Sequence, residues 1–219
     1  MGAVTIGVDI GQQRDPTAIV VTEKERITAV DRGWRVPVSS ATGREIQRDV
    51  EYSDRYSVRH LERLPLGTPY PDVANRIATV VRGVKARVHG QLLVMTDCTG
   101  VGAPIVDLVR QAITGSGITV VAVTFTHGDR YERRHDSASL GKAYLVSRLQ
   151  VLLQIEALKL PRTSEAEQLA DELMNYEIKV TQNGNDTYGA FKVGTHDDLA
   201  TALGLSVVDT ARSRQLITF

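Results

Sequence analysis

The sequence predicts an α/β domain in which a mixed five-stranded sheet, in the order 3-2-1-4-5, is flanked by helices. Three observations carry this reading. Short β-branched runs crowd the first 36 residues and leave no room for a helix between them. A stripe of apolar residues at helical spacing follows, from Val73 to Val88. Beyond it, the extended runs Gln91 to Asp97 and Ile118 to Phe125 alternate with further helical patterns, as in sheets built through crossover connections.

Taken in order, Val4 to Ile10 and Thr17 to Glu23 flank Gly11-Gln12-Gln13-Arg14-Asp15-Pro16, a cluster of turn formers too short to hold a helix. They form an antiparallel hairpin, which Ile27 to Val36 extends to a three-stranded meander. Residues 39–70 are charged and weakly periodic, and Pro65, Pro69 and Pro71 interrupt any long helix there. This stretch reads as mostly loop, with a short helix near Arg44 to Glu51. A helix then runs from Asp72 to about His89 on the apolar stripe Val73, Ile77, Val80, Val81, Val84 and Val88. Gln91 to Asp97 is a strand, Thr99-Gly100-Val101-Gly102 a tight turn, and a helix begins near Pro104, a residue favoured in a first turn. Ile118 to Phe125 is a buried strand, the charged segment His127 to Asp136 is exposed, and a helix covers Ser139 to Ile155. Ser164 with Glu167 matches a capping box, placing a short helix that ends near Asn175. Glu177 to Thr181 and Thr187 to Val193 flank Asn183-Gly184-Asn185-Asp186 as an additional C-terminal hairpin, and a last helix spans Asp197 to Ala211.

Composition narrows the function classes. The 219 residues carry 26 Lys plus Arg against 26 Asp plus Glu, which excludes a globally basic nucleic-acid coat. With 42% hydrophobic residues, a chain of this length buries about 70% of its unfolded surface, so one domain over residues 1–219 suffices. The single cysteine, Cys98, forms no internal disulfide, and no Cys/His spacing suits zinc. No apolar run approaches the roughly 20 residues of a membrane span, and no secretory signal is present, so the expected location is the cytoplasm. Gly141-Lys142 is followed by Ala143 and has Asp136 in place of the first P-loop glycine, so no such ATPase motif exists here.

The candidate site follows from the topology. If the helix from Asp72 returns the chain so that Gln91 to Asp97 lies parallel to the first strand, the winding reverses between these two strands, and ligands bind at such switch points. Asp9 and Asp97 then end neighbouring strands, each shortly before a glycine. Two such carboxylates within about 4 to 6 Å raise each other's pKa, a cost that a divalent cation removes. Oxygen ligands select Mg²⁺ or Mn²⁺ over zinc. Asp197 and Asp198, at the start of the last helix after Gly194, supply further acids. The ordinary reading of each is a turn former or a partner for the helix dipole. It is their convergence on one sheet edge that points to a metal site. Lys142 is a candidate for neutralising a substrate phosphate, against the commoner reading of a solvated helix lysine. Arg130, Arg133, Arg134 and His135, with Tyr131 interleaved as a stacking group, form a weakly basic DNA-contact candidate beside Asp129, Glu132 and Asp136.

Val8-Asp9-Ile10-Gly11 with Asp15-Pro16-Thr17-Ala18, Thr96-Asp97-Cys98-Thr99-Gly100-Val101-Gly102, Leu145-Val146-Ser147-Arg148-Leu149-Gln150 and Gly194-Thr195-His196-Asp197-Asp198-Leu199-Ala200-Thr201-Ala202-Leu203 together resemble the nuclease domain of the large terminase subunit of tailed bacteriophages, in the ribonuclease-H-like superfamily. The resemblance spans nearly the whole chain. It implies a metal-dependent endonuclease that cuts concatemeric viral DNA. Asp9, Asp97 and Asp198 match the three metal-binding acids, and Asp197 an additional acid. It also implies two cations about 3.5 to 4 Å apart, with Asp9 bridging them. The implied partners are double-stranded DNA and an ATPase domain, portal and small terminase, although the chain itself holds no ATPase domain. Three other readings stay open: an actin-like or sugar-kinase-like ATPase fragment, a Holliday-junction resolvase, and a non-catalytic nucleic-acid binding module. ATP binding without DNA cleavage marks the first and preference for four-way junctions the second. DNA binding without cleavage marks the third.

Overall fold

The computed structural model describes residues 2–11, 15–35, 47–100, 102–175, 177–180, 186–189 and 196–208, with the side chains of residues 29–52 and 177–189 outside that description. In chain order the elements are β1 (Ala3–Asp9), β2 (Ala18–Arg35), β3 (Gln47–Arg63), α1 (Tyr70–Lys85), β4 (Leu92–Asp97), α2 (Gly102–Ala112), β5 (Thr119–Thr126), β6 (Tyr131–Arg133), β7 (Ser137–Gly141), α3 (Lys142–Gln154), β8 (Leu158–Lys159), α4 (Ser164–Asn175), β9 (Glu177–Val180), β10 (Asp186–Gly189) and α5 (Asp198–Val208). Eight strands form one mixed sheet in the order β6-β7-β5-β4-β1-β2-β3-β8, and β9 pairs with β10 in a separate two-stranded sheet. The central five strands run 3-2-1-4-5, with β1 antiparallel to β2 and parallel to β4.

Period-two alternation divides the strands between two cores. Val4, Ile6 and Val8 of β1, with Leu92 and Val94 of β4, pack under α1 and α2. Leu93 and Met95 of β4, with Val121 and Val123 of β5, pack under α3, α4 and α5. The α1 stripe buries Val73, Ile77 and Val81, each a side chain whose full burial is worth roughly 1.5–3 kcal/mol. The helix α5 is different, because every residue from Asp198 to Val208 is buried. A helix apolar all round belongs inside the molecule, and α5 lies directly on β1. At Gly7 of β1 an added Cβ would stand 2.0 Å from the Ala202 carbonyl oxygen and 2.6 Å from the Ser206 nitrogen, so only glycine lets the helix backbone approach this strand. Thr22 and Ser206 hydrogen-bond at 2.7 Å and join β2 to the same helix.

The second and third strands are drawn differently from the sequence expectation. Thr17 to Glu23 and Ile27 to Val36 are not two strands, because their described residues form one continuous β2. The linking residues Lys24-Glu25-Arg26 hold no Gly, Pro, Asn or Asp to turn the chain. The true third strand comes from the stretch expected to be loop. Of the helix expected at Arg44 to Glu51, the described part, from Gln47, is β3. Alternating Val50, Tyr52, Tyr56 and Val58 carried that signal beneath the charges. The β2–β3 ribbon pairs from Ala18↔Arg63 to Arg35↔Gln47, whereas β2 pairs with β1 only over Ala18 to Lys24.

Other boundaries shift as well. Ser139 to Gly141, expected to open a helix, belong to β7 (Ser137–Gly141), parallel to β5 with Ala138 and Leu140 buried; α3 starts only at Lys142. The segment from His127 to Asp136 is largely exposed, but it contains β6, and Tyr131 within it is buried. The helix cap near residue 164 sits one residue earlier than the expected box, with the Ala166 N–H donating to Thr163 Oγ1 at 3.3 Å. The C-terminal hairpin pairs Glu177 with Gly189 through Val180 with Asp186, and its Asn-Gly turn lies outside the described residues. Residues 209–211 of the expected last helix lie outside them too. Among the described residues no helix is long and apolar enough to cross a membrane.

Candidate functional site

Asp9 and Asp97 close the parallel pair β1 and β4, whose register runs from Val4↔Leu92 to Val8↔Thr96. Neighbouring strands lie about 4.8 Å apart. The alternation that sends Val8 toward α1 and α2 turns Asp9, like Gly7, toward α5. Asp97, two residues after Met95, faces the same side. Because Gly7 seats α5 against β1, the start of that helix delivers Asp198 and the preceding Asp197 to these strand ends. The turn after Asp97 is closed by its own carboxylate, whose Oδ1 accepts the Thr99 N–H at 2.8 Å, and by Gly100 at φ 68°, where a side chain would be strained.

The electrostatics record this convergence. Burial first, and then the charges of Asp97, Asp198 and Asp197, push the Asp9 carboxyl well above the usual carboxylate range, while Lys142 opposes them. Burial also raises Asp97 against its hydrogen bonds from Thr99 and the charge of Lys142. Burial raises Asp198 too, against Arg63 and His196 and with the help of Asp197. Lys142 is the first residue of α3 and lies 5.6 Å from the centre of the Phe125 ring. A cation at a helix N-terminus faces the wrong end of the dipole, and carboxylates within its field offset that. Sequence reasoning favoured a solvated helix lysine here. In the structure it is half-buried, and its charge opposes the raised pKa of Asp9 and Asp97.

The remaining candidates divide. Asp198 is 3% exposed and bonded to Arg63, whose Nε donates to its Oδ2 at 2.7 Å. His196 is exposed, with Nδ1 3.8 Å from Asp198 Oδ1. Burial and the Arg63 bond distinguish Asp198 from Asp197, which is half-buried just before α5. Arg130 and Arg134 are exposed beside the edge strand β6 and Arg133 lies on it, with β7 and β5 between β6 and β4. Tyr131 is no stacking platform: it is 6% exposed and stacks on Tyr144 at 5.7 Å.

Sequence reasoning missed Arg63, Glu172 and Gln168. Arg63 ends the strand mistaken for loop and donates to Asp198, Gln168 and Glu172. Glu172 on α4 is buried, and its Oε2 accepts the Ala200 N–H at 2.9 Å in the first turn of α5. Burial drives its carboxyl up to about 7 against the Ala200 and Arg63 contacts. An acid on the inner side of α4, in line with Leu169, was the available signal.

Among the described residues, no three His, Cys, Asp or Glu side chains converge into a ready ligand set for a metal ion. The carboxylates here are raised first by burial, Asp9 also by the charges of Asp97, Asp198 and Asp197, with Lys142 and Arg63 opposing the shifts. Their donors are all hard oxygens. That chemistry fits Mg²⁺ or Mn²⁺, whose charge relieves such repulsion.

No family model and no curated protein matches the chain. Solved structures do. The large terminase nuclease of thermophilic phage G20c matches with a TM-score of 0.54 at 19% identity, over 94% of this chain and 81% of that one. Its cobalt-bound form gives 0.55 at 21% identity, over 94% and 80%. The manganese-soaked terminase nuclease domain of human cytomegalovirus gives 0.54 at 14% identity, over 94% and 82%. The chain therefore has the ribonuclease-H-like fold of the terminase large-subunit nuclease domains of phages and cytomegalovirus.

Proposed function

We propose that this chain is a single metal-dependent DNA endonuclease domain, acting on double-stranded DNA through divalent cations held by Asp9, Asp97 and Asp198, with Asp197 beside them. The observation that carries the reading is that the parallel strands β1 and β4 end on Asp9 and Asp97 while α5, seated on β1 at Gly7, begins at Asp198, so that after burial the neighbouring carboxylates push Asp9 well above its ordinary range. A fold built for stability alone gains nothing from that repulsion. The likeness to nucleases solved with magnesium, cobalt and manganese supports the same reading.

Bound there, two Mg²⁺ or Mn²⁺ ions supply a nucleophile at neutral pH and stabilise charge on the phosphate and leaving oxygen. The chain's own part is position. Asp9 and Asp97, on rigid paired strands, set the spacing of the carboxylates, and the buried α5 sets the height of Asp198 above them. Lys142, whose charge already acts on Asp9 and Asp97, neutralises phosphate charge. Arg130, Arg133 and Arg134 contact the DNA backbone further along the sheet edge. In a packaging setting the partners are an ATPase domain, portal and small terminase.

Plasmid nicking tests this. The purified chain is expected to nick or linearise plasmid DNA with Mg²⁺ or Mn²⁺ and to lose that activity in excess chelator; cleavage unchanged by chelator would falsify the metal mechanism. Asp198→Ala is expected to lose nearly all cleavage, whereas Asp197→Ala keeps a measurable fraction. The reverse pattern moves the metal role to Asp197 and leaves the nuclease reading standing.

A further inference from the structure

We infer that Arg63 is a positioning residue for Asp198, setting which carboxylate oxygen faces the acidic cluster, and that Glu172 and Gln168 hold Arg63 in the orientation this requires. The inference rests on the nuclease reading above. Three nitrogens of the Arg63 guanidinium serve three different acceptors: Nε donates to Asp198 Oδ2 at 2.7 Å, Nη1 to Gln168 Oε1 at 3.0 Å, and Nη2 to Glu172 Oε1. A planar fork anchored at three points cannot rotate without breaking bonds, so the plane of the Asp198 carboxylate is set with it.

The arrangement also reaches the helix that carries Asp198. Glu172 Oε2 accepts the Ala200 N–H at 2.9 Å, which satisfies an otherwise unpaired donor in the first turn of α5. One buried acid thus braces both the arginine and the helix start. With Oδ2 committed to Arg63, Oδ1 is the Asp198 oxygen left for a cation, and His196 stands 3.8 Å from it. Left unsupported, Asp198 would turn from the like charge of Asp9, which its presence already raises. An ion pair this enclosed is weak support for stability alone, since desolvation cancels much of its attraction. Its geometric effect on Asp198 is what distinguishes it.

The test is Mn²⁺ binding by calorimetry to the metal-free protein and its variants, alongside thermal midpoints and steady-state plasmid cleavage. Arg63→Lys keeps the charge but cannot make the three-way fork. It is expected to bind Mn²⁺ roughly tenfold or more weakly, the range typical of lost outer-sphere partners. Its kcat is expected to fall while KM for DNA is unchanged. Gln168→Ala removes one anchor at an exposed position, leaves all charges in place, and is expected to weaken Mn²⁺ binding in the same direction by less. It carries the test alone should Arg63→Lys not fold. Wild-type Mn²⁺ affinity in the folded variants, with only a lowered thermal midpoint, overturns the positioning role and leaves a structural brace. A wild-type protein that binds no Mn²⁺ removes the nuclease reading and this inference together, a result distinct from the variant outcome.

Discussion

On the β2–β3 ribbon, acids and bases alternate within reach of one another. Arg59 Nε donates to Glu23 at 2.8 Å and its Nη2 to Glu25 at 3.0 Å, and Arg55 reaches Glu25 at 2.7 Å. The Arg55 hydrogen bond holds the Glu25 carboxyl below its usual range. At the ends of β1 and β4 acids gather instead, and Asp9, Asp97 and Asp198 are all raised, first by burial and, at Asp9, then by the neighbouring carboxylates. Each of these ribbon acids already has a cation beside it. At the strand ends Arg63 pairs with Asp198, yet Asp9 stays raised, so further positive charge, from protons or from a cation, relieves it.

The sharpest break of the comparison is Asp9→Asn. Cleavage is expected to fall to background, while the thermal midpoint of the metal-free protein rises because a repelled, buried charge is gone. A lower midpoint would mean that Asp9 is a structural partner like the ribbon acids. Next in size is Gly7→Ala, whose new Cβ meets the Ala202 carbonyl oxygen at 2.0 Å. Overpacking against backbone is expected to cost about 1–3 kcal/mol or more in urea unfolding. Cleavage should fall with it, since α5 carries Asp198. Wild-type activity in a folded Gly7→Ala would show that the seat of α5 on β1 does not set the acids.

The pH dependence of stability separates the regions by sign. Glu172 holds its proton up to about pH 7 in the folded state, against 4.5 ordinarily. Between these values the folded protein binds more protons than the unfolded chain, so metal-free stability rises as pH falls from about 7 to 4.5. Asp9, Asp97 and Asp198 act in the same direction. Glu62 acts oppositely: burial raises it, but the hydrogen bonds from Arg76 and the nearby His60 outweigh burial and bring it to about 2. Its stabilisation is present above 4.5 and is lost as pH falls toward 2. Thermal midpoints across this range should therefore peak on the acidic side of neutrality, and saturating Mn²⁺ should flatten the limb above pH 4.5. A metal-free midpoint that climbs steadily from pH 4.5 to 7 contradicts the raised carboxyls. The smallest effect belongs to the ribbon: Arg59→Ala, an exposed pair, is expected to cost about 0.2–1 kcal/mol and to leave cleavage untouched.

Much of this protein was legible in its sequence because the relevant signals are local. Strand periodicity and glycine turns placed Asp9 and Asp97 at strand ends. The helical stripe of α1 implied the crossover that makes those strands parallel neighbours. Asp197 and Asp198 stood out at a helix start. What only the tertiary structure decided concerns partners distant in sequence. The charges of Gln47–Arg63 hid a strand whose burial comes from pairing with β2, and with that strand went Arg63. Its bonds to Asp198 and Glu172 span 135 and 109 residues, distances at which no spacing rule operates. Gly7 read as an ordinary strand residue until α5 was seen lying on it. Lys142 read as a surface lysine, whereas the start of α3 directly after β7 leaves it half-buried with its charge acting on Asp9. Periodicity reports which face of an element is buried; it carries no information on which residue waits on the other side.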